Sequence, residues 1–260
     1  MKIAILGAGV FGTALGGVLA DKGYDVDYYD PKIEEERLTD VLANAAYVVL
    51  CVPSKAAPHL LPHLPHDKPL IVATKGILTD RYFEEFRDWM VMSGPGFAED
   101  IKHGKETLLT ATDKRVEELF GTDYLKFDHT EDRRGVLMCG ALKNVYAVMA
   151  GLLGLDRETL SWYEYVAAAA EEMRGLLARN GASKDTVELA CGLGDLKLTC
   201  ALPSRNYEYG LKLRDDVGAE TDQTVEGLTT LDRIKRGEIT VPSSAQILRK
   251  MLELDYLEQG

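Results

Sequence analysis

The stretch MKIAILGAGVFGTALGGVLADKGYDVDYYD, residues 1–30, decides the fold. Lys2–Leu6 is a short apolar run of the kind buried in a sheet, Phe11–Lys22 reads as a helix and Asp25–Tyr29 as a second strand, together a βαβ unit. Between the first strand and the helix lies GAGVFG, a G-x-G-x-x-G array of Gly7, Gly9 and Gly12 with Val10 and Phe11 inside it. In that position the first glycine permits a tight turn, the second lets a diphosphate approach the backbone, and the third allows close packing of helix on strand. Asp30 ends the second strand, close to the roughly 20-residue spacing at which a carboxylate meets a ribose 2′-OH. Ordinary turn glycines need no strand, helix and acid in this register, so the segment predicts a dinucleotide site.

Ile3–Ala20 carries no charge, which by hydropathy alone resembles a signal peptide or a membrane span. Its patterned glycines, and the Asp21, Lys22 and Gly23 that end it short of the roughly 20 residues a span needs, argue instead for a buried strand and helix. No membrane span is expected. With Lys plus Arg at 30 and Asp plus Glu at 42, the net charge of −12 repels a phosphate backbone and argues against nucleic acid as a partner. An anionic substrate must then be held by a few local cations and backbone N–H groups.

At 260 residues the chain is long enough for two compact units. Cys51, Cys139, Cys191 and Cys200 form no C-x-x-C pair and sit in apolar or Gly-rich surroundings, which fits a reducing, cytoplasmic setting. His59, His63 and His66 tempt a metal reading, but Pro58, Pro62 and Pro65 break the helix that would align them, so no metal is expected.

Tyr47–Val52, Leu70–Ala73 and Trp89–Met92 are further strand candidates, and the first half reads as a doubly wound α/β domain with a parallel sheet covered on both faces. After Asp132 helical patterns take over, at Gly135–Leu153, Ser161–Asn180 and Val241–Leu257. The expected architecture is a Rossmann-type dinucleotide-binding domain over residues 1–130, followed by an all-helical substrate and catalytic domain over residues 131–260.

Lys143 stands alone in GVLMCGALKNVYAVMAGLLGL, residues 135–155, where the other ionisable groups are the weakly acidic Cys139 and Tyr146. On a helix it shares a face with Gly140 and Ala147, small neighbours that would let another body lie against it. Burial pulls an ammonium toward useful acid–base chemistry, whereas a snorkelling lysine would merely cover apolar surface; helix context alone leaves both readings open. A third group lies in GLGDLKLTCALPSRNYEYG, residues 192–210, where Asp195 sits in a Gly-flanked turn and Arg205 and Asn206 follow Pro203 and Ser204. Arginine suits bidentate recognition of phosphate, and a solvated loop is the plainer alternative.

Taken together, GAGVFGTAL at 7–15, TKG at 74–76, SGPGFAED at 93–100, GALKNVYA at 140–147, GLGDLKLTC at 192–200, SRN at 204–206 and VEG at 225–227 resemble the NAD(P)-dependent glycerol-3-phosphate dehydrogenases, in the family's order and along nearly the whole chain. The resemblance implies Lys143 as general acid/base, with Asn144, Asp195 and Thr199 around the reacting hydroxyl. It implies that Lys75, Arg205 and Asn206, with Ser204 beside them, contact substrate or cofactor phosphates, and that Glu226 lies near the nicotinamide. Gly94, Gly96 and Ala98 would form a turn against which the ligands rest, and Gly7, Gly9, Val10, Phe11, Gly12 and Asp30 would hold the cofactor.

Gly96 replaces the family's usual Ser or Thr. Pro31 stands where many bacterial members carry an Arg for a 2′-phosphate, which favours NAD over NADP. The implied reaction is NAD-dependent interconversion of dihydroxyacetone phosphate and glycerol 3-phosphate by hydride transfer at C2, with a small phosphorylated molecule as partner. A homodimer is left open. Two rivals share the plan: a small dehydrogenase acting on a 3-hydroxy acid or related alcohol, which would not need Arg205 and Asn206 as a phosphate clamp, and a cofactor-binding pseudoenzyme.

Overall fold

The apolar runs of the first half take their places side by side in one sheet. In the computed structural model, which describes residues 1–30, 37–216, 219, 221 and 224–254, β1 (Lys2–Leu6), β2 (Asp25–Tyr29), β3 (Tyr47–Leu50), β4 (Leu70–Val72) and β5 (Trp89–Ser93) are mutually parallel. Helices α1 (Val10–Asp21), α2 (Leu38–Ala43) and α3 (Ala57–Leu60) lie in the crossovers between them. The seven-stranded order is β2-β1-β3-β4-β5-β6-β7, so the connections reverse direction at β1. In a doubly wound sheet that switch point is where a ligand meets the carboxyl ends of the strands, and Gly7 follows β1 there.

The wholly parallel sheet expected from sequence is corrected at its far edge. β6 (Thr107–Ala111) runs antiparallel to β5, and β7 (Leu125–His129) pairs in parallel with β6. Helices α4 (Ala98–Lys102) and α5 (Lys114–Phe120) flank β6 in sequence. These two strands carry no continuous apolar run, because Leu108 is exposed in β6 and the edge strand β7 interleaves exposed Lys126 and His129 with its inward residues. The core of this half packs Leu15, Val18 and Leu19 of α1 with Ile3, Ile5, Val49, Ile71, Met90, Leu109 and Phe120.

The chain divides into two compact units, one of Met1–Thr74 and Asp80–Arg133, the other of Lys75–Thr79 and Arg134–Gly260. The second is built on α6 (Arg133–Leu152), buried at every residue from Gly135 to Gly151. Its length and composition would suffice to cross a membrane, yet 94% of its most apolar window is buried inside the protein, as befits a helix apolar on all sides at the centre of a bundle. Around it come α7 (Leu160–Arg179), α8 (Asp195–Thr199), α9 (Arg205–Asp215), α10 (Glu226–Lys235) and α11 (Gln246–Leu252). Of α7, one face (Trp162, Val166, Ala169, Ala170, Met173, Leu176, Leu177) is buried, and Trp162 Nε1 donates to the Cys200 carbonyl at 2.7 Å.

Two expectations for this unit change. The helix read over Val241–Leu257 is confined to Gln246–Leu252 within the described residues; Pro242, Ser243 and Ser244 keep the preceding segment out of it, and residues 255–257 lie outside the described set. Its start is set by a side chain distant in sequence: the Glu172 carboxylate of α7 accepts the Ile247 and Leu248 N–H groups, each at 2.8 Å. The turns read at Asp195 and Arg205 are helix starts. A π-helical turn, Ala190–Gly194, leads into α8, and Ser204 is the N-cap of α9.

Helices α6 and α9 cross with backbone against backbone. A Cβ on Gly151 would stand 2.1 Å from the Tyr207 carbonyl oxygen, and one on Gly210 would stand 2.1 Å from the Val148 oxygen and 2.7 Å from the Leu152 nitrogen. These obstacles are backbone atoms that cannot swing aside, so Gly210→Ala is expected to destabilise the protein by about 1–3 kcal/mol or more. Gly175, on the exposed side of α7, has nothing within 4 Å of a Cβ. There Gly→Ala is expected to stabilise by about 0.5–1 kcal/mol through helix propensity. Urea unfolding midpoints of the two variants should move in opposite directions.

Candidate active site

Lys143 sits in the middle of α6 with only 4% of its surface exposed. Its ammonium donates to Asp195 Oδ1 at 2.5 Å and to Thr199 Oγ1 at 3.0 Å. Thr199 in turn gives its hydroxyl proton to the Asp195 backbone oxygen at 2.7 Å, which leaves a lone pair turned to the lysine. Asp195 and Thr199 are the two ends of the single-turn helix α8, so the i, i+4 spacing puts carboxylate and hydroxyl on one face. The buried carboxylate has a second cation: Lys75 Nζ lies 3.2 Å from Asp195 Oδ2.

Burial, the largest influence, pulls the Lys143 ammonium down to about 7; Asp195 opposes this and the neighbouring Lys75 charge reinforces it. Asp195 thus holds the lysine by hydrogen bond, but desolvation outweighs the carboxylate. Lys75, expected at a phosphate, spends its contact on Asp195. Thr74 just before it is anchored differently, its Oγ1 donating to the Leu50 and Val52 carbonyls at 3.1 and 2.8 Å.

Asn144, next to the lysine, donates from Nδ2 to the Gly140 carbonyl at 3.1 Å and accepts from Asn206 Nδ2 at 3.0 Å. Asn206 is buried near the start of α9, whereas Arg205 beside it is exposed and the N-cap Ser204 is buried. Glu226 opens α10, and the next N–H, of Gly227, donates to Asn206 Oδ1 at 2.9 Å. Helix α10 lies close against this part of α6, since a Cβ on Gly227 would come within 2.7 Å of the Asn144 carbonyl oxygen. Sequence reading did not single out Gly227. The signal for it was its place just after Glu226 in the VEG block.

The first unit holds the other expected group. Gly7 has φ +110°, a conformation that favours glycine, and its N–H donates to the Tyr29 carbonyl at 2.7 Å. A Cβ on Gly12 would lie 2.0 Å from the Gly7 oxygen, so helix and loop meet at a distance only glycine permits. Gly9, the N-cap of α1, is exposed with open space where a Cβ would be. Exposed Val10 and half-buried Phe11 continue the turn. Asp30 Oδ2 accepts the Ala8 N–H at 3.2 Å, which ties the carboxylate to the loop. Room above Gly9, the N-terminal end of α1 and an acid at the end of β2 fit a dinucleotide.

Pro31 and Lys32, on which the choice between NAD and NADP also leans, lie outside the described residues. Gly94 and Gly96 lie in a separate segment between β5 and α4 of the same unit, and Ala98 is the first residue of α4. A Cβ on Gly96 would crowd the Leu109 and Thr107 side chains at 3.2 and 3.3 Å, a local reason for glycine there.

Comparison with known proteins agrees with this arrangement. Residues 132–253 match a family model described as the C-terminus of NAD-dependent glycerol-3-phosphate dehydrogenase. The glycerol-3-phosphate dehydrogenase [NAD(P)+] of Leptospira biflexa is 31% identical over 303 residues, covering 96% of this chain and 89% of the relative. That of Lactobacillus acidophilus is 32% identical over 320 residues, covering 97% and 93%. Two solved structures share the fold: glycerol-3-phosphate dehydrogenase of Coxiella burnetii (TM-score 0.80, 24% identity, 99% and 98% of the two chains) and that of Saccharomyces cerevisiae (TM-score 0.73, 20% identity, 100% and 99%). With relatives above 30% identity along nearly its whole length, and the lysine, acid and glycine blocks assembled as described, the chain belongs to the NAD(P)-dependent glycerol-3-phosphate dehydrogenase family.

Proposed function

We propose that the chain is a cytoplasmic oxidoreductase that interconverts dihydroxyacetone phosphate and sn-glycerol 3-phosphate, with Lys143 as the proton donor and acceptor at the C2 oxygen. The observation that carries this is the way the Lys143 ammonium is committed: one N–H to Asp195, one to Thr199, and a third that remains for a reacting oxygen. A lysine that only covered apolar surface would not be buried against a carboxylate and a hydroxyl oriented to accept from it. The same assembly supports turnover over a pseudoenzyme. Four free cysteines, three of them buried, support a reducing compartment.

A nicotinamide dinucleotide held at Gly7, Gly9, Val10, Phe11, Gly12 and Asp30 would supply or accept the hydride. The protein's own part is protonic and electrostatic. In the reducing direction Lys143 passes its proton to the C2 oxygen as charge develops there; in the oxidising direction neutral Lys143 takes the hydroxyl proton. Thr199 and Asp195 fix the amine, and burial, reinforced by the Lys75 charge, keeps its proton affinity low. Arg205, exposed at the N-terminus of the eleven-residue helix α9, offers a guanidinium fork and a helix-end field to the substrate phosphate.

Lys143→Ala is expected to lower turnover by roughly 10²–10⁴-fold while leaving NADH affinity near normal, measured by steady-state rates and fluorescence titration. In the wild type, reduction needs the protonated lysine: kcat/KM for reduction should be level below about pH 7 and fall above it, and that for oxidation should rise through the same range. Matching pH profiles in both directions would remove Lys143 from the proton step.

Arg205→Ala should raise the KM for dihydroxyacetone phosphate and leave the poor rate on unphosphorylated dihydroxyacetone nearly unchanged. Equal losses on both substrates would assign Arg205 another role.

The enzyme should prefer NADH to NADPH, because the Asp30 carboxylate can accept from ribose hydroxyls but meets a 2′-phosphate with like charge. Asp30→Asn keeps an oxygen for the Ala8 N–H and removes the charge, so it should narrow the preference by about 10-fold in kcat/KM. A wild-type enzyme faster with NADPH at low, equal concentrations contradicts the assignment.

A further inference from the structure

We propose that Trp162 is a positioning residue for the proton step: its indole N–H clamps the carbonyl that closes α8, the single-turn helix carrying both partners of Lys143, and so fixes where the ammonium stands. The inference rests on the reaction proposed above and concerns a residue outside its catalytic groups.

Helix α8 is poorly equipped to hold its own shape. It has five residues, and one turn returns too few hydrogen bonds to offset the backbone order it requires. Yet Lys143 depends on both of its ends, through Asp195 Oδ1 at 2.5 Å and Thr199 Oγ1 at 3.0 Å. A slight unwinding at the Thr199 end would cost the lysine one contact and open the other to solvent.

The entry to α8 is fixed by packing of backbone on backbone. A Cβ on Gly192, in the π-helical turn before it, would stand 2.2 Å from the Val187 oxygen, and Cys191 Sγ donates to the Thr186 carbonyl at 3.8 Å. The exit is the C-cap Cys200, whose N–H returns to the Leu196 carbonyl at 2.9 Å. Its own carbonyl is among those a helix cannot satisfy from within, and Trp162 Nε1 donates to it at 2.7 Å. Cys200 is 0% exposed and Trp162 2%, so loss of the indole N–H leaves this carbonyl in a dry site.

The indole is itself well held. Trp162 is the third residue of the twenty-residue α7, Tyr163 meets its ring edge-on at 5.0 Å, and Arg157 Cζ stands 5.9 Å from the ring centroid. A phenylalanine would also fill apolar space here. What tryptophan adds is a donor placed on the carbonyl one residue beyond Thr199.

The test compares Trp162→Phe, which keeps an aromatic ring without the N–H, with Trp162→His, which loses the benzo ring but can hold Nε2–H where the indole N–H stood. Trp89→Phe is the control, since Trp89 lies in β5 of the other unit, stacked on Phe83. Trp162→Phe should lower kcat by about 10-fold or more with KM nearly unchanged, and Trp162→His should keep more of kcat although it loses more stability. A residue that only filled the core would give the reverse order, with activity following stability. The pH above which reduction falls should also move up in Trp162→Phe, by about half a unit or more. Burial is what chiefly lowers the proton affinity of Lys143, and Asp195, Lys75 and Cys200 are the other titratable groups that act on it or feel its charge.

Amide hydrogen exchange over residues 196–200 reads the clamp without turnover, and should be about 10-fold faster in Trp162→Phe and unchanged in Trp89→Phe. The chain has two tryptophans, so in the Trp89→Phe protein a tryptophan analogue with sulfur in place of N–H alters this one donor and carries the test if Trp162→Phe does not fold. Wild-type exchange and an unmoved pH profile in the donor-free proteins overturn the proposal. A chain inactive on dihydroxyacetone phosphate would fail the reaction, while exchange would still decide whether Trp162 holds α8.

Discussion

An ammonium buried in the middle of an apolar helix is the constraint around which the second unit is organised. Lys143 has no polar neighbour on α6 able to hold it, and an isolated buried charge costs several kcal/mol. The fold answers with α8, whose single turn brings Asp195 and Thr199 to the same atom, and with the short Lys75–Thr79 piece of chain, which contributes a second cation to the same carboxylate. A carboxylate between two lysines holds both, and it cannot fully satisfy either. The outcome is a lysine able to change protonation near neutrality, held at a defined place by groups that are themselves rigid.

The two units meet the problem of anionic ligands with different means. With an overall charge of −12 the chain cannot rely on a general positive field. In the first unit the proposed means is backbone: a glycine turn after β1, the start of α1, and one carboxylate tied to the loop through the Ala8 N–H. In the second the cations proposed for this task are side chains, namely Lys75, Lys143 and Arg205, each placed by a helix or by an anchored strand end. Backbone donors suit a diphosphate common to many cofactors, whereas side chains can be matched to one substrate.

Glycine has a second use in the helical unit. Gly151 and Gly210 let α6 and α9 touch along their backbones, and Gly227 does the same for α10. Close crossings of this kind leave little freedom to slide, because the opposing atoms are carbonyls and amides. Arg205 and Asn206 are therefore placed in part by the crossing at Gly210, more than a helical turn away, and Glu226 by the contact of the next residue, Gly227.

The nucleotide-binding half was legible because its signals are local. β1, α1 and β2 follow from the apolar runs of residues 2–29, and the glycine array marks its own turn; β6 and the edge strand β7 were missed because Thr107 and Thr110 in the one and Lys126, Asp128 and His129 in the other interrupt the apolar signature. In the helical half, α6 and α7 showed in their periodicity, and Lys143 stood out as a lone charge. What the sequence alone could not decide is which groups meet: Lys75 with Asp195, Asn206 with Asn144 and Gly227, Glu172 with the start of α11. These pairs are far apart along the chain, and their formation depends on helix crossings set by glycine clearances of a few ångströms. Local propensity carries no information about such distances, so the pattern of residues determined what chemistry was present, and packing decided where it was assembled.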